Sequence, residues 1–162
     1  MDRQDWLLTS LLIHVPAVVA WVSVAGAELL IAVLPGLETP LRARLVRRLR
    51  WPTVALVVVI VTTGVWQTMD NPFLEVDSFA ALDRLRTTKA YGAALFVKHI
   101  FVVATFALSL LTRFVLARRI ERAATADAAR PSLRSLVLAT ACNLAACLGA
   151  LLATVGMTIQ LH

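Results

Sequence analysis

Charge is what this sequence lacks, over four long stretches. Residues 6–27, 51–69, 100–112 and 135–161 contain no Asp, Glu, Lys or Arg. Only 16% of the 162 residues are charged, against 59% that are apolar, and mean hydropathy is +0.79. That composition excludes an ordinary soluble domain. Cysteine is scarce as well, with Cys142 and Cys147 both inside the last uncharged stretch. No disulfide framework, zinc spacing or Cys-x-x-Cys-His haem attachment is present, so the two thiols read as small hydrophobes. Strict alternation of apolar and polar residues is missing, which excludes the strands of a membrane barrel. The N-terminal flank Met1-Asp2-Arg3-Gln4-Asp5 lacks the positive region of a secretory signal, so the first apolar stretch is expected to stay with the protein.

What is there is enough apolar sequence to cross a bilayer four times. A span needs roughly 20 apolar residues, and in lipid only a helix or a closed barrel satisfies every backbone group. The chain therefore reads as one all-α domain, an integral membrane up-down four-helix bundle over 1–162, with spans at about 6–34, 51–69, 90–116 and 133–161. Pro35-Gly36 stops the first span, Pro52 suits the first turn of the second, Asp70-Asn71-Pro72 ends it, and Pro131 precedes the fourth. Pro16 inside the first span frees a backbone carbonyl and is expected to kink it.

The net charge of +6 is topological and needs no nucleic acid to explain it. Arg42, Arg44, Arg47, Arg48 and Arg50 in the first loop join Arg113, Arg118, Arg119, Arg122, Arg130 and Arg134 in the third. Those eleven face four on the other side, Arg3, Arg84, Arg86 and Lys89, which are mixed with carboxylates. Lys and Arg stay cytoplasmic in short loops, so both termini are expected on the outer side of the inner membrane. The external loop 70–89 then holds a short interfacial helix capped by Ser78, with Phe79, Leu82 and Leu85 on one face.

Ionisable groups inside a bilayer are costly and need a partner or a role. His14, Glu28, Lys98, His99 and Arg113 are the candidates. Glu28 follows His14 by fourteen residues and Arg113 follows His99 by fourteen. Fourteen residues make nearly four helical turns, about 21 Å along the axis. The first and third spans run the same way, so the two histidines should share a depth in the outer half. Glu28 and Arg113 should meet near the inner boundary as a structural ion pair, a better reading than proton transfer because only one carboxylate is present.

Two imidazoles at one depth on two helices suit a metal or haem iron in a bundle core. The expected cofactor is haem b, held by His14 and His99. Lys98 points about 100° from its neighbour; it either snorkels to lipid phosphates or neutralises a haem propionate or other anion, with Arg84, Arg86 and Lys89 nearby. Met69, Met157 and His162 lie toward the same side and offer the soft ligands that copper takes, although methionine is also a common core filler. In the fourth span Thr140, Asn143, Thr154 and Thr158 are expected to bond across helices, and Gly64, Gly149 and Gly156 to allow close approach.

His14 with Trp21 and Gly26, Thr63-Gly64, and Tyr91-Gly92 followed by Leu95-Phe96-Val97-Lys98 resemble the copper-resistance protein D family. Arg47-Arg48-Leu49-Arg50-Trp51-Pro52 and Lys98 are similar to HemJ-type protoporphyrinogen oxidases, small four-span proteins that carry a b-type haem. The likeness covers about residues 10–116. The first resemblance implies copper uptake or handling, with Trp21 beside the site; the second implies haem-linked oxidation. His14 and Lys98 are the positions that the resemblance supports, whereas His99 comes from depth matching alone. The expected function is electron transfer or haem-linked redox chemistry, with copper handling and a cofactor-free accessory subunit as alternatives. The expected partners are the lipid bilayer and a redox partner, a quinone or a larger membrane complex. Self-association is left open.

Overall fold

The computed structural model describes residues 3–69, 78–88, 90–123 and 125–159, the side chains at 3, 4, 69, 79, 82, 86, 88, 90 and 157–159 excepted. All the regular structure among them is helical. Four stretches are long and apolar enough to cross a membrane: Asp5–Val33, Thr39–Thr68, Tyr91–Arg122 and Ala126–Gly156. Their outer faces are apolar, as lipid requires; Leu12, Leu152, Leu138 and Val19 are all more than half exposed.

Helix α1, Arg3–Val33, runs unbroken through Pro16. It stops where the sequence predicts, at Pro35-Gly36, because Gly36 takes φ +77°, a left-handed conformation that glycine adopts without strain. Arg42 secures this end by donating through Nη2 to the carbonyls of Leu34 (2.7 Å) and Leu37 (3.2 Å), groups that the helix leaves unsatisfied.

The first basic stretch is helix rather than loop. Helix α2, Thr39–Arg48, has Pro40 in its first turn and buries Ala43 and Val46 while most of its arginines face outward. After Leu49 the chain continues directly into α3, Arg50–Met69. Helix α4, Phe79–Thr88, follows Ser78, whose Oγ accepts from the Ala81 N–H at 3.2 Å as an N-cap does. Its Leu85 is buried with Leu95 against Tyr91 and Ala94 of the next helix.

Helix α5, Ala90–Leu110, widens into a π-helical turn at Leu111–Leu116 and resumes as α6, Ala117–Arg122. The third span thus reaches past the predicted end at 116. Helix α7, Ala126–Ile159, also begins earlier than the predicted 133 and takes Pro131 inside it. Thr125 caps this start by accepting from the Ala128 N–H at 3.2 Å.

Helix α1 packs against α3 and α7, and α5 packs against α7 and α4. Around the bundle the order is therefore α3, α1, α7, α5. Helices α3 and α5 scarcely touch each other, and the ring stays loose on that side. At the basic end, Val46 and Ala43 of α2 join Ala32, Leu116, Ala117, Ile120, Ala129, Leu136 and Ala139 in a tight apolar cluster. Arg47 bridges to Glu121 at 2.7 Å over it. A second cluster, Ala17, Trp21, Ala25, Ile60 and Cys147, fills the middle of the bundle. The packed basic end and the loose α3–α5 seam determine where space remains for a ligand.

Candidate functional site

A cavity of about 450 Å³ lies among α1, α3, α5 and α7. His14, Lys98, His99 and Trp21, which the sequence singles out, all line it. Most of the remaining wall is aliphatic, with Gln67, Thr68, Tyr91, Cys147 and Thr154 as further polar members. The volume falls within the roughly 300–1,000 Å³ typical of cofactor and small-molecule sites.

The hydrogen bonds place a proton on Nδ1 of each imidazole. His14 Nδ1 lies 2.7 Å from the Thr63 hydroxyl. That hydroxyl spends its own hydrogen on the Val59 carbonyl at 2.6 Å, so toward His14 it accepts, and Nδ1 carries the proton. His99 Nδ1 lies 2.7 Å from the Leu95 carbonyl, which can only accept. Both rings thus donate from Nδ1, which in the neutral form leaves the lone pair on Nε2. A hydrogen bond from the other ring nitrogen is how proteins orient a metal-ligating histidine.

The two rings are held differently. Thr63 belongs to α3, so the His14 bond crosses between helices, and Gly64 beside it lies at the ring edge, where a Cβ would make ordinary van der Waals contact with His14 Cε1 at 3.5 Å. One turn farther from the basic end, Gln67 Nε2 donates to Ser10 Oγ at 3.1 Å and Ser10 donates to the Thr63 carbonyl at 3.3 Å. His99 is tied only to a carbonyl of its own helix, and its side chain is exposed where that of His14 is half-buried.

Two further groups suit an anionic or acceptor-rich ligand. Lys98 forms no salt bridge among the described residues. The Trp21 indole is buried at the cavity wall, stacked obliquely on Phe106 with ring centroids 5.1 Å apart, and its N–H has no acceptor among the described residues. An unpaired buried donor is costly, and a ligand oxygen would relieve it. Arg84, by contrast, stands exposed on α4 with its Nε toward the Ala80 carbonyl, outside the cavity wall. The side chains of Arg86, Met69 and Met157, and residue His162, lie outside the described residues. Among those described, no three His, Cys, Asp or Glu side chains gather into a metal site.

A second polar centre lies toward the basic end. Arg113 Nη2 donates to Glu28 Oε2 at 2.7 Å, and both side chains are essentially fully buried. The π-helical turn brings two successive residues, Thr112 and Arg113, into the interior together. Arg113 Nη1 reaches the Ser109 carbonyl at 3.4 Å, and Asn143 Nδ2 of α7 donates to Ser109 Oγ at 3.1 Å. This centre joins α1, α5 and α7 through polar bonds in a desolvated core. Thr140 does not cross between helices as expected: its hydroxyl donates to Val137 of its own helix at 3.0 Å. Gly149 does permit close approach, with the Phe101 ring 2.9 Å from where a Cβ would stand, whereas nothing lies within 4 Å at Gly156.

Sequence reasoning named the histidines but not what orients them. Thr63 and Ser10 are single hydroxyls in apolar runs. In the sequence Thr63 stands out only within the Thr63-Gly64 resemblance, which carries no mark of a bond to His14, and Ser10 has no signal at all. Compared with models of protein families, with curated proteins and with solved structures, the chain matches none.

Proposed function

We propose that the chain is an inner-membrane haem b protein that uses His14 and His99 as iron ligands and acts in electron transfer or haem-linked redox chemistry. One observation carries the reading. Two imidazoles from different helices line one mostly apolar cavity, each with Nδ1 committed and Nε2 bare. Bundle interiors are where such cofactors are held, by side chains from facing helices.

The other groups have natural tasks under this reading. Lys98 neutralises a propionate, and the Trp21 N–H offers a hydrogen bond to an acceptor on the cofactor. The aliphatic wall excludes water, which strengthens each of these contacts. Bound there, the haem would supply one-electron chemistry; the protein's part is to present Nε2 of both rings to it from an apolar wall. The resemblance to HemJ-type oxidases, through Arg47-Arg48-Leu49-Arg50-Trp51-Pro52 and Lys98, supports the same cofactor.

The proposed topology puts both termini and α4 on the outer side, with α4 lying at the interface beside the cavity. The redox partner would then be a quinone reaching the site through lipid, or a larger membrane complex.

The test is the visible spectrum of detergent-purified protein from haem-replete cells. A Soret band that shifts on dithionite reduction is expected, and His14→Ala should abolish it. A colourless protein carrying stoichiometric copper would favour the copper-handling reading of the copper-resistance protein D resemblance. A colourless, metal-free protein that co-purifies with larger subunits would favour an accessory subunit.

A further inference from the structure

The cavity's two histidines differ in how they are anchored, and the difference has a chemical consequence. His14 is restrained from two helices: its ring is bonded to Thr63 of α3, which is itself braced through Ser10 and Gln67. Moving that ring means breaking a bond between α1 and α3, helices that are packed together. His99 has no such brace. The Leu95 carbonyl that holds its Nδ1 is the acceptor that the α-helix already assigns to the backbone N–H of residue 99. The side chain therefore holds a second place on an acceptor already in use. The ring is exposed, on the flank where α5 stands apart from α3. Rotating it away breaks one local bond and no hydrogen bond between helices among the described residues.

We propose that His99 is an exchangeable ligand and that the cavity binds a small neutral two-electron donor of the carbon monoxide class in the position His99 gives up, while His14 stays bound. This rests on the haem reading given above. The exchange would be a ligand substitution: His99 Nε2 would give up its place, carbon monoxide would donate its carbon lone pair there, and no electron or proton would be transferred.

The equilibrium has a definite form. A site whose competent state is only partly populated binds with an affinity lowered by that fraction. With His99 in place, the open fraction limits uptake; without it, the limit disappears.

Carbon monoxide added to the dithionite-reduced, detergent-purified protein tests this. Wild type should shift its Soret band on saturation. His99→Ala should retain its pigment, turn high-spin in the ferric state, regain a low-spin spectrum with added imidazole, and bind carbon monoxide on the order of tenfold more tightly or more. Because Ala at 99 removes no bond between helices, an unchanged gel-filtration profile is expected and serves as the folding control. A pigmented wild type that ignores saturating carbon monoxide overturns the proposal while leaving the haem reading intact. So does a folded His99→Ala protein that loses its pigment as His14→Ala does. A wild type without pigment overturns both readings together.

Discussion

Thr63 is a residue whose importance is out of proportion to its chemistry. Its hydroxyl accepts from one side and donates to the other, and so selects the tautomer of His14. Thr63→Val keeps the shape and removes the acceptor. Nitrogen-15 spectra of the imidazole should then show a mixture of Nδ1–H and Nε2–H forms, where Thr63→Ser keeps a single form. If the site is loaded, cofactor retention in Thr63→Val should fall by about 10–100-fold, the usual cost of losing an orienting partner. At the other end of the bundle, Glu28 and Arg113 are a buried pair with almost no solvent contact. Glu28→Ala leaves a buried guanidinium without its partner, at a cost of about 3–5 kcal/mol. The melting temperature in detergent should fall sharply, and Glu28→Leu combined with Arg113→Met should recover most of the loss. Failure of the double variant to recover would assign the pair a role beyond charge compensation. Both residues and their pairing follow from residue spacing alone. Thr63 does not, because a lone threonine in an apolar run has no sequence signature that separates a brace from a helix-facing hydroxyl.

At the scale of elements, the bundle is held by contacts of two kinds. Helices α5 and α7 approach closely through Gly149, where a built Cβ would stand 2.9 Å from the Phe101 ring. Gly149→Ala should therefore destabilise by about 1–3 kcal/mol, the range for overpacking a full site. Phe101→Leu on that background should relieve it, as measured by thermal unfolding in the same detergent. At the basic end the contacts are apolar instead, with Val46 of α2 fully buried among residues of α1, α6 and α7. That packing explains why a segment with four arginines in ten residues is a helix. Its charges point outward while one short stripe is covered, so helix periodicity survives inside what composition alone marks as a loop. The same holds for α6 and the first turns of α7, where arginines hide a helical stripe of Ala117, Ile120 and Ala129.

For the whole molecule, the proposed topology makes a direct prediction. In a background where Cys142 and Cys147 are replaced by alanine, single cysteines at Arg44 and Arg118 should resist a membrane-impermeant maleimide applied to intact cells. Cysteines at Ser78 and Asp83 should react. The reverse pattern would invert the molecule and turn the cavity to the cytoplasm without altering its geometry. The cavity lies toward the α4 end because the basic end is closed by α2, α6 and the start of α7, while α3 and α5 diverge.

Four membrane-length helices, their mutual direction and the shared depth of His14 with His99 and of Glu28 with Arg113 were all determined by the sequence itself. They depend on quantities that are additive along the chain: the cost of a charge in lipid, the rise per residue and the bias of arginine to one side. The cavity, the single tautomer of each imidazole, the unequal anchoring of His14 and His99, and the π-helical turn that turns Thr112 and Arg113 inward together were decided only by the tertiary structure. Each depends on the rotation of one helix against another, and small rotations exchange which atoms meet without changing the hydropathy of any segment.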